Sequence, residues 1–144
     1  MIDLGAHGMY LTEWILGMPI SASSSFTVSC SGGGAVDKNS DRVEDNAVTV
    51  MSFESGAIAV NETGFVSEFS PVTLEVFGER GYVRMEGDRV IKCTGATGGK
   101  ITEVTPPDSL PLPIVQFLTG SPLPGASMRE AKALTHLMVM AYKA

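Results

Sequence analysis

Ala47-Val48-Thr49-Val50-Met51-Ser52-Phe53-Glu54-Ser55-Gly56-Ala57-Ile58-Ala59-Val60-Asn61-Glu62-Thr63 is the stretch that decides the fold. Two segments suited to extended backbone, Ala47–Phe53 and Ala57–Thr63, flank Glu54-Ser55-Gly56, a short polar link ending in glycine. Strand, tight turn and strand make a hairpin, and a hairpin pairs its strands antiparallel. The period-two pattern continues outward on both sides, from Ser21 to Val104. Upstream, Ser21–Cys30 is rich in Ser, Thr, Val and Phe and reads as a strand. Ser31–Glu44, with Gly32-Gly33-Gly34 and a run of polar residues, reads as a mobile loop. Downstream, Val72, Leu74 and Val76 alternate with Thr73, Glu75 and Phe77. Gly78-Glu79-Arg80-Gly81 then turns the chain into Tyr82–Glu86, and Arg89–Cys93 and Ile101–Val104 add two shorter strands. Successive strands joined by tight turns give a meander rather than a doubly wound parallel sheet.

Both ends carry helical patterns. Leu4–Leu16 can form a helix with Asp3 as N-cap and Gly17 as its close, and Pro19 prevents continuation. Leu4, Leu11, Ile15 and Met18 form one seam of this helix, expected to face the core. Asp3, His7, Tyr10 and Trp14 form a second, polar–aromatic seam, expected to face a cleft or another domain. Near the other end, Pro106, Pro107, Pro111 and Pro113 hold an extended connection before a short helix at Ile114–Leu118. Ser127-Met128-Arg129-Glu130 has the form of a capping box, and Leu134, Leu137, Met138 and Ala141 give the last helix a packing face. The expected fold is α+β, with one largely antiparallel open β-sheet packed against an N-terminal and a C-terminal helix. No internal repeat interrupts residues 1–144, which are read as one domain.

Composition narrows the function. With 44% hydrophobic and 18% charged residues the chain suits a folded body rather than disorder. A formal net charge of −6 disfavours nucleic acid, whose phosphates require clustered Lys and Arg. No apolar run approaches the roughly 20 residues that span a bilayer, and no basic segment or apolar h-region opens the chain. Two cysteines, Cys30 and Cys93, make no disulfide framework, so a cytoplasmic protein with reduced thiols is expected.

Asp3 and His7 stand four residues apart, on one helical face. Imidazole can take or return a hydroxyl proton near neutral pH, and a neighbouring carboxylate orients and tunes it. The plainer reading is an N-cap Asp followed by a helical His with no chemistry. Gly32-Gly33-Gly34 follows a strand with no helix N-terminus to present amides, so it reads as a loop rather than a phosphate cradle. Neither G-x-G-x-x-G nor a Walker A sequence occurs. His136, beside Leu137, reads as a half-buried packing residue. His7, His136, Cys30 and Cys93 lack metal-ligand spacing, so no metal is expected. Asp45-Asn46 reads as turn chemistry.

Asp3-Leu4-Gly5-Ala6-His7-Gly8-Met9-Tyr10-Leu11, followed by Trp14-Ile15-Leu16-Gly17-Met18-Pro19, resembles the Gfo/Idh/MocA oxidoreductases, the glucose–fructose oxidoreductase and inositol dehydrogenase group. There the segment reads Asp-x-Gly-x-His, then a helix ending near Trp-x-x-Gly-x-Pro. Glu44-Asp45-Asn46-Ala47, Phe53-Glu54-Ser55-Gly56-Ala57 and Leu74-Glu75-Val76-Phe77-Gly78-Glu79-Arg80-Gly81 are similar to further family stretches in order and spacing. The resemblance implies a two-domain enzyme with NAD or NADP on an N-terminal Rossmann domain absent from this chain, which corresponds to the substrate-binding and oligomerisation part. It implies hydride transfer at a hydroxyl carbon of a sugar, cyclitol or similar polyol. His7 would be the acid–base residue and Asp3 its partner, with Tyr10 and Trp14 expected to contact substrate. Position 10, often Asp in the family, is Tyr10 here. The family's cooperating lysine, from a Glu-Lys-Pro segment of the nucleotide domain, has no counterpart among Lys38, Lys92, Lys100, Lys132 and Lys143. The chain alone is therefore expected to be inactive, to bind no cofactor, and to form a homo-oligomer through its open sheet face. The rival reading is a non-catalytic module for small-molecule or protein binding, or for dimerisation.

Overall fold

The computed structural model describes residues 4–28, 44–65, 72–120 and 127–143. It divides into two compact units, one built from Met1–Glu68 and Leu112–Ala144, the other from Phe69–Pro111.

In the first unit, α1 (Leu4–Leu16) leads into β1 (Ser21–Thr27), β2 (Asn46–Ser52) and β3 (Ile58–Gly64), which pair antiparallel in the order β1-β2-β3. Glu54-Ser55-Gly56 turns the β2–β3 hairpin, with Gly56 at a φ of 83° that a side chain would resist. Register sets the faces. Phe26, Ala47 and Thr63 lie in one row, Ser24, Thr49 and Asn61 in the next, and Ala22, Met51 and Ala59 in the third. These rows point inward. The other face carries Ser23, Ser25, Val48, Val50, Ile58 and Val60, all exposed.

Two helices cover the inner face: α1 lies against β3, and α3 (Met128–Lys143) lies against β1 and α1. The core is Met9, Ala47, Met51, Phe53 and Ala141, with Phe26, Leu134 and Met138 packed around it. The packing face expected of the last helix is the observed one, with Leu137 and Ala141 buried. Glu130 accepts the Ser127 N–H at 2.8 Å, the reach-back bond of a capping box. At the far end of α3, Tyr142 stacks on Phe26 with ring centroids 5.1 Å apart and donates its hydroxyl proton to Glu44. The short helix α2 (Pro113–Thr119) exposes Ile114, Val115, Phe117 and Leu118 and buries Gln116.

The second unit is a meander of β4 (Thr73–Gly78), β5 (Gly81–Glu86), β6 (Arg89–Thr94) and β7 (Thr102–Val104), each paired antiparallel with the next. Gly81, at a φ of 135°, makes the tight β4–β5 turn possible, since a Cβ there would lie 2.0 Å from the Cys93 carbonyl oxygen. One face alternates Leu74, Val76, Val83, Met85, Val90 and Val104. The other carries Arg84 between Glu75 (3.3 Å) and Glu86 (3.0 Å), with Arg89 3.5 Å from Glu103. These exposed pairs contribute about 0–1 kcal/mol each.

Two expectations need correction. Among the described residues the strands form two sheets, of three and four strands, rather than one. Alternation and turns specify which strands join as hairpins, but not whether separate hairpins pair with each other. The seam of α1 expected to face the core also does not do so. Ile15 and Met18 are 40% and 39% exposed, whereas Gly5 and Met9 are buried. Glycine carries no apolar side chain and so counts for little in a hydrophobic stripe, yet here it is the backbone at Gly5 and Gly8 that meets the sheet. Cys30 and the Gly32-Gly33-Gly34 loop lie outside the described residues.

Candidate functional site

Along α1, Gly5, Gly8, Met9 and Thr12 occupy one side of the helix. His7, Tyr10 and Trp14 fall within about 60° of one another on the opposite side, by the 3.6-residue period. The buried side is marked by its approach to Asn61. Asn61 of β3 donates its amide Nδ2–H to the Gly5 carbonyl at 3.1 Å. A Cβ on Gly8 would stand 1.9 Å from the Asn61 Oδ1. The Thr12 hydroxyl donates to the Gly8 carbonyl at 2.8 Å, tying two turns of the helix together.

With that side pressed on the sheet, His7 is exposed, Tyr10 is half-buried and Trp14 is 56% exposed. These three residues therefore share the side of α1 turned away from the sheet. Asp3 lies outside the described residues. Burial raises the Tyr10 phenol above its ordinary value, and the Glu130 and Glu13 carboxylates raise it further. Tyr10 thus remains a neutral hydroxyl, a donor and acceptor at any physiological pH. An exposed imidazole on a braced helix, beside a neutral phenol and an indole plate, can exchange a proton with a hydroxylated ligand and cover its apolar faces.

His136 is exposed rather than half-buried. It lines a shallow depression of about 360 Å³ with Ile20, Val139 and Lys143, among others. It belongs to the edge of α3 facing away from the core, where helical position rather than neighbouring apolarity decides exposure. Among the described residues, no three His, Cys, Asp or Glu side chains converge as metal ligands, and no helix is long and apolar enough to cross a membrane. Asp45-Asn46 does act at the entry to β2, where the Asn46 amide donates to the Asp45 carboxylate at 2.9 Å.

Sequence reasoning missed Asn61 and Glu130. The signal for Asn61 was present: an amide at a core-facing strand position, 9% exposed, together with two glycines three residues apart on a helix. Nothing short of the packing of α3 on α1 brings Glu130 toward Tyr10.

Comparison with known proteins gives this helix a context. A family model described as the GFO/IDH/MocA C-terminal domain matches residues 1–84, a span from α1 into β5. No curated protein matches significantly. Among solved structures, one from Thermotoga maritima described as an oxidoreductase superposes with a TM-score of 0.77 at 17% identity over 96% of this chain and 42% of its own. An oxidoreductase from Agrobacterium radiobacter, in complex with NAD+, L-tartaric acid and magnesium, gives 0.70 at 17% identity over 98% of this chain and 45% of its own. A UDP-N-acetylglucosamine 3-dehydrogenase from Acidithiobacillus ferrooxidans gives 0.71 at 16% identity over 97% and 45%. At such identities the likeness is one of fold, and the chain spans less than half the length of each of these proteins.

Proposed function

The chain belongs to the GFO/IDH/MocA C-terminal domain family, and from that membership we propose that it is the substrate-binding and oligomerisation domain of an NAD- or NADP-dependent oxidoreductase. The observation that carries the reading is the family match across α1, the helix that presents His7, Tyr10 and Trp14 away from the sheet. The proposed substrate is a sugar, cyclitol or similar polyol. L-Tartaric acid and UDP-N-acetylglucosamine, named with two proteins of the same fold, both carry secondary hydroxyls.

The sequence has no G-x-G-x-x-G to cradle a dinucleotide, so the coenzyme is assigned to a separate nucleotide-binding domain. When bound, a nicotinamide exchanges hydride with the substrate carbon. The work of this chain is at oxygen. His7 takes the hydroxyl proton during oxidation and returns it during reduction, Asp3 orients the imidazole, and Tyr10 and Trp14 position the ring of the polyol. By itself the chain binds substrate weakly and does not turn it over.

The oligomer is proposed to form through the outer face of β1–β3, where Val48, Val50, Ile58 and Val60 are exposed beside a row of serines. An open antiparallel sheet with apolar residues on both faces needs cover on both.

The acid–base role is tested by His7→Ala in the full-length protein carrying this chain, following nicotinamide absorbance with a panel of polyols. Turnover should fall roughly 10²–10⁴-fold. Nearly unchanged turnover overturns the role of His7.

A further inference from the structure

We infer that Asn61 is a positioning residue for His7: its amide sets the depth and roll of the first turn of α1, and so the line along which the imidazole meets a substrate hydroxyl. The inference rests on the acid–base role proposed above.

Asn61 sits on the inner face of β3, opposite Thr49, and is 9% exposed. A buried amide is unfavourable unless it is hydrogen-bonded. Asn61 meets that condition by donating to the Gly5 carbonyl at 3.1 Å. In a helix that carbonyl also accepts the Met9 N–H, so the strand amide occupies its second lone pair. The rest of the amide fills the space over Gly8, where a Cβ would come within 1.9 Å of Oδ1 and 2.6 Å of Cγ. Glycines are poor helix formers. What this pair provides is room for the amide.

Gly5 precedes His7 by two residues and Gly8 follows it by one, so the two contacts bracket the peptide units that carry the imidazole. Neither touches the His7 side, which is about half a turn of the helix away. Asn61 therefore acts through the backbone, without meeting substrate. Proton transfer depends steeply on alignment, and a displacement of about 1 Å can cost on the order of 10²-fold in rate.

The test pairs two substitutions with two measurements. Asn61→Leu keeps the branch at Cγ and removes the donor; Asn61→Asp keeps the shape and, ionised, offers no N–H. Amide exchange in the 144-residue chain should show roughly two- to tenfold lower protection at Met9, the weight of one neutral hydrogen bond. Val50 and Met51 in β2 should be unaffected. In the full-length protein, kcat should fall by roughly 10–100-fold while KM for the polyol stays within about twofold, as expected for a term expressed only in the transition state. Unchanged protection, unchanged kcat, or a rise in KM alone would each overturn the inference while leaving the role of His7 intact. Retained turnover in His7→Ala overturns that role instead. If neither single variant folds, Gly8→Ala combined with Asn61→Ser removes the steric conflict. Its serine is too short to hold Gly5, so kcat should stay low in a folded protein; wild-type kcat there refutes the inference.

Discussion

Replacing Gly8 with alanine tests the packing of α1 on β3 directly. In an unconstrained helix the change stabilises by about 1 kcal/mol. Here the added Cβ would lie 1.9 Å from Oδ1, 2.6 Å from Cγ and 3.1 Å from Nδ2 of Asn61, well inside contact distance. The amide must swing away and abandon the Gly5 carbonyl. A buried amide left without its partner costs about 1–3 kcal/mol, and forcing a methyl group into a filled space costs about 1–3 kcal/mol more. The net expectation is a loss of about 1–5 kcal/mol. Urea unfolding followed by the fluorescence of Trp14, the one tryptophan of the chain, reads the unit that contains α1. Gly95→Ala, in the other unit, where a Cβ meets nothing within 4 Å, is the control for a local effect and should leave the transition read by Trp14 unmoved. If Gly8→Ala is as stable as wild type or more so, α1 does not seat on Asn61 and the account of the site fails.

Other consequences can be measured independently. Tyr142→Phe keeps the stack on Phe26 and loses the bond to Glu44, and should cost about 1 kcal/mol at neutral pH. Burial pushes the Glu44 carboxyl up, but the hydrogen bonds it accepts, that of Tyr142 among them, win and hold it below its ordinary 4.5. A depressed carboxyl contributes stability above its unfolded pKa and loses it as pH falls through the folded value. The difference between wild type and Tyr142→Phe should therefore shrink below about pH 4.5 and persist at pH 7; a difference constant from pH 3 to 7 contradicts the linkage. Tyr10, raised above its ordinary value by burial and then by Glu130 and Glu13, should titrate later than an unperturbed phenol, so Tyr10→Phe should remove absorbance from the high-pH side of the ultraviolet titration; a loss confined to its low-pH side contradicts this reading. Val50→Glu with Val60→Glu on the outer face of β1–β3 should convert the proposed oligomer to a monomer in light scattering at micromolar protein, with unchanged circular dichroism. A monomeric wild type refutes that interface.

Local patterns carried most of the fold. Ala47–Phe53 and Ala57–Thr63 were legible because both strands and their glycine turn lie within seventeen residues of sequence, and β2 and β3 appear one residue from those bounds. Leu134, Leu137, Met138 and Ala141 marked the packing side of α3 because that side is made of apolar side chains. The packing side of α1 was illegible for the opposite reason: it is made of backbone at Gly5 and Gly8 and of one polar residue from elsewhere. That His7, Tyr10 and Trp14 share one side of α1 was legible from their helical spacing, which survives a wrong assignment of the buried seam. Asn61 and Glu130 reach the site from segments far off in sequence, and spacing has no access to such meetings. The division into two sheets was hidden in the same way.

The order in which the parts leave the ribosome follows from how the two units use the chain. Phe69–Pro111 is one uninterrupted stretch whose described strands pair in sequence order, so this unit can close while synthesis is still under way. The unit bearing His7 is begun first and finished last. Its sheet is complete once β3 has emerged, but Leu137 and Ala141 arrive only with the final helix. Until then the inner row of Ala22, Met51 and Ala59 lacks part of its cover, and a nascent chain stalled before Met128 offers that surface to chaperones or to its neighbours on the same polysome.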